Sequence, residues 1–357
     1  MGARPRATLQ VLADELGVSR TTISNAYNKP EHLSAQLLER VFAAAERLGY
    51  SGPDPLARKL RVGGITTVGL IFTDSLSFAV ADPASASFLK GVALGCEEAR
   101  TSLLLIPVVP SDQSGKSAIE QAAVDGIILY SFPDKSPHLV AAMRKGVPVV
   151  VVDEPEDVTG VDWIGLDDRQ AFSEVARHLA DLGHRRVTLI AERLTGLAHD
   201  GPVGPKRLAR ATSSIQRNRI AGFQDVFSAL GRAASLQIRE TYMSQVDSGT
   251  AAGHEAFDAN PRATAIACTT DALALGVLIA ARQRGIDVPG QVSVTGFDDI
   301  TEAEHEGLTT VHHSLVAKGK RAAQMLLQGP DSDAPRHEVM PTRLVVRQST
   351  APPRLEP

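Results

Sequence analysis

The chain has 357 residues, 43% of them hydrophobic, and a formal net charge of -4, which suits a small domain followed by a larger body that divides again. Its two cysteines, Cys96 and Cys268, exclude a disulfide framework and a cysteine-based metal cage. No stretch approaches the roughly 20 apolar residues of a membrane span, and no apolar run follows Arg4 and Arg6 as in a signal peptide. We therefore expect a cytoplasmic protein.

Three short helices are predicted between residues 8 and 50. Thr8, Ser19 and Ser34 stand where N-cap hydroxyls are needed, and Gly17 and Gly49 stand where helices end. The apolar residues of each segment recur with helical spacing and would share one core. They are Leu9, Leu12, Ala13, Leu16, Ile23, Ala26, Tyr27, Leu38, Val41, Phe42, Ala45 and Leu48.

The second of these helices has an outer face suited to the major groove of DNA. Its polar residues are Arg20, Thr21, Ser24, Asn25 and Asn28, with no acid among them. Residues 1–61 hold nine Lys or Arg and six Asp or Glu, a net of +3, which leaves -7 for the other residues. A capping bundle with merely solvated faces is the alternative. The short turn at Gly17 and the local positive charge favour DNA binding.

A basic segment follows the head and is predicted to be a hinge. Asp54 can cap a helix that begins at Pro55, but this helix is too short to be stable alone. Minor-groove DNA and a second copy of the helix could order it, with Leu60 as an apolar wedge and with cations on phosphates. The alternative is a plain basic linker whose leucines pack on the body.

From Thr66 onward, apolar strand-like runs alternate with amphipathic helices, which predicts two parallel sheets covered on both faces. The predicted strands are 68–72, 103–109, 126–130, 147–153, 186–191, 235–243, 265–269 and 292–297. The predicted helices are 87–101, 117–123, 137–145, 169–182, 215–230, 249–259 and 272–284. The polar segment 193–213 is predicted to be a mobile loop.

Polar residues at the ends of predicted strands indicate a ligand cleft. Asp153, Asp271 and Asp298 each follow an apolar run, and Arg219 lies early in a helix in which Gly222 permits close packing. Together they could bind a hydroxyl-rich ligand. Taken singly, each has an ordinary alternative as a helix cap or a surface ion pair.

Signals for catalysis are weak. The sequence Gly115-Lys116-Ser117 lacks the leading glycine of a phosphate loop, and no nucleotide, zinc-protease or hydrolase motif is present. His312 and His313 would point to opposite faces of a strand, so a structural role is favoured for both. We expect no enzyme activity, catalytic residue, cofactor or metal site.

The chain resembles the LacI/GalR (lactose-repressor-like) family of transcription regulators over nearly its whole length. The motifs that carry the resemblance are Thr8-Leu9, Leu12-Ala13, Gly17-Val18-Ser19, Thr22-Ile23-Ser24, Leu48-Gly49-Tyr50, Ala57 with Leu60, Gly183-His184-Arg185-Arg186, Arg219-Ile220-Ala221-Gly222-Phe223, Asp271-Ala272-Leu273-Ala274-Leu275-Gly276, Val294-Thr295-Gly296-Phe297-Asp298-Asp299 and Leu308-Thr309-Thr310-Val311.

The resemblance implies a homodimeric repressor that reads a pseudo-palindromic operator, and a periplasmic-binding-protein-like body that binds a small effector, sugar or nucleoside-like. The implied base-reading residues are Arg20, Thr21 and Asn25. The implied phosphate contacts are Thr8, Thr22, Ser24, Asn28, His32 and Ser34. The implied minor-groove residues are Ala57 and Leu60, and the effector contacts are Asp153, Arg219, Thr270, Asp271 and Asp298.

The predicted fold is an all-α helix-turn-helix head plus an α/β body of two doubly wound parallel-sheet subdomains. The predicted boundaries are 1–52 for the head, 53–64 for the hinge and 65–350 for the body, with one subdomain at about 65–165 plus 312–330 and the other at about 166–311 plus 338–350.

Two residues depart from the family pattern: Asn25, where many relatives have Arg, and Thr270, where several sugar-binding relatives have Asn. The alternative function is an intracellular small-molecule-binding protein or enzyme with an N-terminal helical cap.

Overall fold

The computed structural model describes residues 8–50, 64–108, 115–259, 262–329 and 334–354. The chain divides into two compact units, a head (Met1–Gly64) and a body (Ile65–Pro357). The predicted hinge helix, with Ala57 and Leu60, lies outside the described residues. None of the helices within the described ranges is both long and apolar enough to span a membrane.

The head contains the three predicted helices, α1 (Leu9–Leu16), α2 (Arg20–Asn28) and α3 (Ala35–Leu48). The hydroxyls of Thr8, Ser19 and Ser34 accept backbone N–H bonds at the starts of α1, α2 and α3, over 3.4, 3.0 and 3.3 Å. Gly17 and Gly49 end α1 and α3 in the left-handed conformation, with φ of 65° and 69°. The five predicted cap residues are therefore confirmed.

The core of the head is made of the residues that the helical spacing selected, with one exception. Leu12, Ile23 and Val41 are fully buried at its centre. Phe42 was predicted to belong to the core but is 45% exposed, and it meets the edge of the Tyr27 ring instead. Ala44, three residues after Val41, was not selected but is buried.

In the described part of the body, six strands form the first sheet in the order β12-β5-β4-β3-β1-β2, all parallel. They are β1 (Thr67–Phe72), β2 (Ser102–Ile106), β3 (Gly126–Tyr130), β4 (Val149–Val152), β5 (Asp162–Leu166) and β12 (His337–Met340). The helices of this first lobe are α4 (Leu76–Ala81), α5 (Pro83–Glu98), α6 (Gly115–Gln121), α7 (Pro137–Arg144) and α14 (Leu315–Gln328). Buried Val, Ile and Leu side chains cover both faces of the sheet.

The second sheet has the order β10-β9-β6-β8-β7, in which β7 is the antiparallel edge strand. Its strands are β6 (Arg186–Glu192), β7 (Gly201–Pro202), β8 (Ser235–Thr241), β9 (Ala265–Cys268) and β10 (Ser293–Thr295). The helices of this second lobe are α8 (Asp168–Asp181), α9 (Pro205–Leu208), α10 (Ser214–Ala229), α11 (Val246–Asp258), α12 (Asp271–Gln283) and α13 (Thr301–His305). A separate antiparallel pair joins β11 (Thr310–His312) to β13 (Arg343–Val345).

Two predictions about the body differ from the structure. Residues 338–350 were assigned to the second subdomain, but His337–Met340 pairs with β5 in the first sheet. The segment 193–213 was predicted to be a loop, but it contains β7 and α9. It is tied to the second sheet because the buried carboxylate of Glu240 accepts hydrogen bonds from Leu194 N and from the Arg207 guanidinium.

The close packing predicted at Gly222 is present between α8 and α10. A Cβ at Gly222 would collide with the carbonyl oxygen of Arg169. The hydroxyl of Ser173 lies 2.8 Å from Arg169 O and 3.0 Å from Gly222 O, and by sharing its one proton between these carbonyls it links the two backbones. A side chain at this position would therefore separate α8 from α10.

Replacing Gly222 with Ala should lower the free energy of unfolding by about 1–3 kcal/mol, because overpacking forces the helices apart. Gly204→Ala is the matched control, since a Cβ there meets no atom within 4 Å. Urea denaturation followed by the fluorescence of Trp163, the only tryptophan in the sequence, measures both variants. Equal stability of the two variants would show that the close approach is not needed.

Candidate functional sites

A cavity of about 330 Å³ lies in the body where strand ends of the two sheets face each other. Several lining residues lie within three residues after a strand, as expected for a cleft at the carboxyl ends of parallel strands. From the first lobe they are Thr73, Asp74, Ser131, Asp153 and Glu154, and from the second they are Arg193, Leu194, Thr270 and Asp298. Four of the five predicted effector contacts, Asp153, Arg219, Thr270 and Asp298, are thus brought together.

The backbone is strained at this cavity. Ser131, Asp153 and Asp298 have positive φ angles of 60°, 65° and 113°, which are uncommon for residues with a side chain. Such conformations persist only where the surrounding structure enforces them, and they concentrate at functional sites. Here they turn polar side chains toward the cavity immediately after β3, β4 and β10.

A buried lysine holds Asp153 in place. Lys318 Nζ, on α14, lies 2.8 Å from each carboxylate oxygen of Asp153, and its side chain is 2% exposed. The indole N–H of Trp163 donates to the backbone oxygen of Asp153 over 3.0 Å. Lys318 was not predicted as a cavity residue, because a lysine within a helix is usually on the surface and only the packing of the helix shows otherwise.

Arg219 is buried on α10 and faces the same cavity. Its Nε donates to Asp168 Oδ1 over 2.7 Å, and its guanidinium also donates to the backbone oxygen of Thr269. The guanidinium carbon lies 3.6 Å from the centroid of the Phe297 ring. Burial raises the pKa of the Asp168 carboxyl, and Arg219 opposes this by favouring the ionised form.

Asp298 joins the charged groups to a buried histidine. Burial raises the pKa of Asp298 to about 7, and the charges of Arg219 and Lys318 oppose that rise. Burial and the charge of Lys318 hold the pKa of His313 well below its ordinary value, so its ring is neutral near pH 7. His313 Nε2 lies 3.2 Å from Asp298 Oδ1, and a neutral ring can donate this hydrogen bond. The role of His313 as a cavity residue was missed when a structural role was favoured.

Thr270 and Asp271 both lie at the start of α12 but differ in position. Thr270 lines the cavity, caps α12 through Leu273 N, and its hydroxyl lies 2.9 Å from Ser244 Oγ. Asp271 is fully buried and is not among the residues that line the cavity. Its carboxylate accepts from Ile300 N over 3.0 Å and from Thr310 Oγ1 over 2.6 Å. The structure therefore places Asp271 apart from the other four predicted contacts.

One end of the cavity is acidic. Arg193 donates to Asp74 over 2.6 Å, and the carboxyl groups of Asp74 and Asp82 lie near Glu192. Burial raises the pKa of Glu192 to about 7, with a further rise from Asp74 and Asp82. Glu192 is the last residue of β6 and Arg193 directly follows it, so the strand-end rule that selected Asp153 would also have found them.

Unused hydrogen-bond acceptors and apolar rings complete the lining. Gln216 is 3% exposed, and within the described residues its Oε1 has no hydrogen-bond partner. Phe78, Phe132 and Tyr242 supply aromatic surface. Among the residues that the structure describes, no group of three or more His, Cys, Asp or Glu could hold a metal ion. The cavity can therefore accept hydrogen bonds from a ligand and pack against its carbon skeleton.

The head presents the other candidate surface. Arg20 and Thr21 are exposed on α2, and Asn25, Ser24 and Thr22 are half-buried beside them. Thr8, His32 and Ser34, the predicted phosphate contacts outside α2, are exposed. The Thr22 hydroxyl lies 2.8 Å from Ser19 Oγ at the start of α2. The side chain of Asn28 lies outside the described residues.

A three-helix head with a polar face on its second helix, and a body of two parallel sheets around a polar cavity, define a ligand-responsive DNA-binding protein. A model of the periplasmic binding protein-like domain matches residues 176–350. An HTH-type transcriptional regulator of Mycolicibacterium smegmatis is 45% identical over 98% of this chain and 97% of that protein.

Solved structures of transcriptional regulators are also similar to this chain. The crystal structure of a LacI-family transcriptional regulator from Corynebacterium glutamicum is 32% identical, with a TM-score of 0.73 over 98% of this chain and 99% of that one. A complex of the transcriptional regulator CelR with cellobiose is 26% identical, with a TM-score of 0.66 over 96% of this chain and 100% of that one. The chain belongs to the LacI family of transcriptional regulators.

Replacing Glu192 with Gln should stabilise the protein more at pH 8 than at pH 5.5. Burial raises the pKa of Glu192 from its ordinary 4.5 to about 7, so the stability that its protonated form contributes is fully present below pH 4.5, partly lost by pH 5.5 and fully lost above pH 7. A glutamine side chain is uncharged at every pH and therefore mimics the protonated glutamic acid. The gain in the free energy of unfolding at pH 8 should exceed the gain at pH 5.5 by about 2 kcal/mol.

Urea denaturation at both pH values measures this difference. The exposed Glu97→Gln is the matched control and should change stability equally little at pH 8 and pH 5.5. A Glu192→Gln effect of the same size at both pH values would rule out the raised pKa as its cause.

Proposed function

We propose that the protein is a homodimeric repressor whose affinity for a pseudo-palindromic operator is set by a small, uncharged, hydroxyl-rich effector. The single observation that carries the effector assignment is the cavity lining, which offers unused acceptors while its buried cations are already paired. The helical head and the family support the DNA-binding half. Within this proposal the protein has no catalytic role, cofactor or metal.

The charges of the cavity support an uncharged effector. The buried cations Arg219 and Lys318 and the partly buried Arg193 are each paired with a carboxylate within 2.8 Å. A phosphate or carboxylate ligand would therefore meet excess negative charge from Glu192 and Asp298 in a poorly solvated site. Hydroxyl groups can donate to these same oxygens without adding charge.

The size of the cavity supports a small effector. A volume of about 330 Å³ is at the lower end of the range for ligand sites. A monosaccharide or similar polyol fits this range better than a nucleoside with its added base. The CelR complex contains cellobiose, which shows that a related body can hold a carbohydrate. The proposed contacts are Asp153, Arg219, Thr270 and Asp298, with Glu192 and Gln216 added from the structure.

On the DNA side, we propose that α2 enters the major groove and the segment around Ala57 and Leu60 enters the minor groove. The exposure of Arg20 and Thr21 supports base reading, because bidentate contacts from Arg to guanine need a free guanidinium. The proposed base-reading residues are Arg20, Thr21 and Asn25. The proposed phosphate contacts are Thr8, Thr22, Ser24, Asn28, His32 and Ser34.

The coupling between the two sites is thermodynamic. An effector changes operator affinity only if it binds the DNA-competent and DNA-incompetent forms of the body unequally. Each 1.4 kcal/mol of difference corresponds to about a tenfold change in affinity. A cavity built from two lobes supplies such a difference, because a ligand that contacts both lobes favours the form in which they are close.

Thermal unfolding of the full chain with a compound panel tests the effector class. The panel holds neutral monosaccharides, cyclitols, cellobiose and nucleosides, each with a phosphate ester where one exists. We expect at least one neutral polyol to raise the melting temperature, since binding to the folded form stabilises it, and its phosphate ester to have no effect. Stabilisation by the phosphorylated compounds alone would contradict the proposal.

A pair of variants locates the binding site of any stabilising polyol. Asp298→Asn should weaken its binding at least about tenfold, because one acceptor oxygen is replaced by an amide NH2 group that cannot accept a hydrogen bond from a ligand hydroxyl. Asp225→Asn is the control, since Asp225 is exposed and pairs with Arg169 outside the cavity. Equal binding by the two variants would place the ligand elsewhere.

Selection of binding sites from random duplexes, followed by affinity measurements on single-base variants, tests the head. Arg20→Ala should abolish discrimination at one base-pair position, at a cost of about 1–3 kcal/mol for the preferred base. His32→Ala, also exposed, should weaken binding to all sequences alike, as expected for a phosphate contact. A uniform loss from both variants would refute base reading by Arg20.

A further inference from the structure

The side chain of Glu154, in the first lobe, forms hydrogen bonds with the second lobe across the cleft. It follows Asp153 at the end of β4 in the first lobe, and it is 4% exposed. Its carboxylate accepts hydrogen bonds from the hydroxyls of Ser213 and Ser214, over 3.2 and 3.0 Å, and from Ile215 N over 3.2 Å. These donors form the N-terminus of α10 in the second lobe.

Burial raises the pKa of Glu154 to about 7, and above that pH the contact is that of an anion at a helix N-terminus. The first amides of a helix have no partner within the helix, and the helix dipole adds positive potential there. Ser213 is the N-cap of α10, which has 16 residues. Glu154 therefore caps α10 from another lobe, in addition to the cap that the helix's own serine supplies.

The helix that Glu154 holds carries two residues of the cavity. Gln216 lies one residue after Ile215, and Arg219 lies one turn further along. Both line the cavity and both are buried. The unpartnered Oε1 of Gln216 needs a ligand donor or water at a defined position, so the placement of the first turn of α10 decides where that acceptor lies.

Two neighbouring contacts also cross the cleft. Asp134 N donates to Thr212 O over 3.1 Å, and Arg217 pairs with the Asp134 carboxylate over 3.0 Å. The Arg217 and Asp134 side chains are 39% and 35% exposed, so this ion pair is weakened by solvent. The Glu154 contact is the buried one of the three and has the most hydrogen bonds.

We propose that Glu154 is a positioning residue for the effector site, which ties the N-terminus of α10 to the first lobe and thereby keeps the lobes together around Gln216 and Arg219. This inference rests on the proposed function for its biological meaning. Its structural content is independent of the effector's identity. Loss of Glu154 should both free the start of α10 and separate the lobes.

Amide hydrogen exchange of the ligand-free full chain, measured by mass spectrometry on overlapping peptides, tests this role. The Ile215 amide reports the cap, and the Asp134 amide reports the contact between lobes. In Glu154→Ala both should exchange at least about tenfold faster, because several hydrogen bonds to a buried carboxyl group are lost. In Glu154→Gln, which keeps one acceptor oxygen, both should exchange at an intermediate rate.

Two controls separate positioning from general destabilisation. The first turn of α12, capped by Thr270 in the same lobe, should exchange at the wild-type rate in both variants. Arg217→Gln, which removes the exposed cross-cleft ion pair, should leave the Ile215 amide unchanged. If the alanine variant does not fold, the glutamine variant alone decides.

The proposal is overturned if the Asp134 amide keeps its protection when Glu154 is replaced, since the residue would then be only a local cap. It is also overturned if Arg217→Gln accelerates both amides as much as Glu154→Ala. Because no effector is used, a failure here is distinct from a failure of the compound panel, which would count against the proposed function instead.

Discussion

The body depends on the burial of charge between its two lobes. Lys318 with Asp153, and Arg219 with Asp168, are ion pairs whose side chains are each 8% exposed or less. Charges removed from water are costly unless they are paired and hydrogen-bonded, and removing one partner leaves the other uncompensated. The two pairs therefore hold their oxygens and nitrogens in fixed positions, and an apolar core could not offer a polar ligand the same pattern of donors and acceptors.

This constraint also explains the strained backbone and the shifted acids around the cavity. Asp153 and Asp298 adopt positive φ angles, a cost that the surrounding ion pairs and strands offset. Glu154, Glu192 and Asp298 have pKa values raised to about 7, chiefly by burial. In the proposed function, a ligand whose hydroxyls donate to such oxygens would replace the water that burial removed, and its binding would favour closure of the lobes.

Much of the fold could be predicted from local signals. The caps at Thr8, Ser19 and Ser34 and the limits of β3 follow from the preferences of single residues and from continuous apolar runs. β5 was missed because Asp162 and Gly165 interrupt its apolar pattern, and only its place between β4 and β12 makes it a strand. The pairing of β12 joins distant parts of the chain, which periodicity does not reveal.

The cavity was harder to predict than the fold. Strand ends identified Asp153 and Asp298, because that rule depends only on a polar residue after an apolar run. The same rule selected Asp271, whose carboxylate is used by Ile300 and Thr310. Lys318 and Gln216 lie within helices, and nothing in their local sequence distinguishes them from surface residues. Their roles depend on packing between elements that are far apart in the sequence.

The central claim is that occupancy of the cavity and DNA binding by the head are thermodynamically coupled. The most direct test is the affinity of the full chain for a selected operator duplex, by fluorescence anisotropy at fixed salt, with and without a saturating polyol. The account predicts a change of at least several-fold, and an equal factor when the affinity for the polyol is measured with and without operator. The account would be contradicted if operator and polyol both bind tightly and neither ligand changes the dissociation constant of the other.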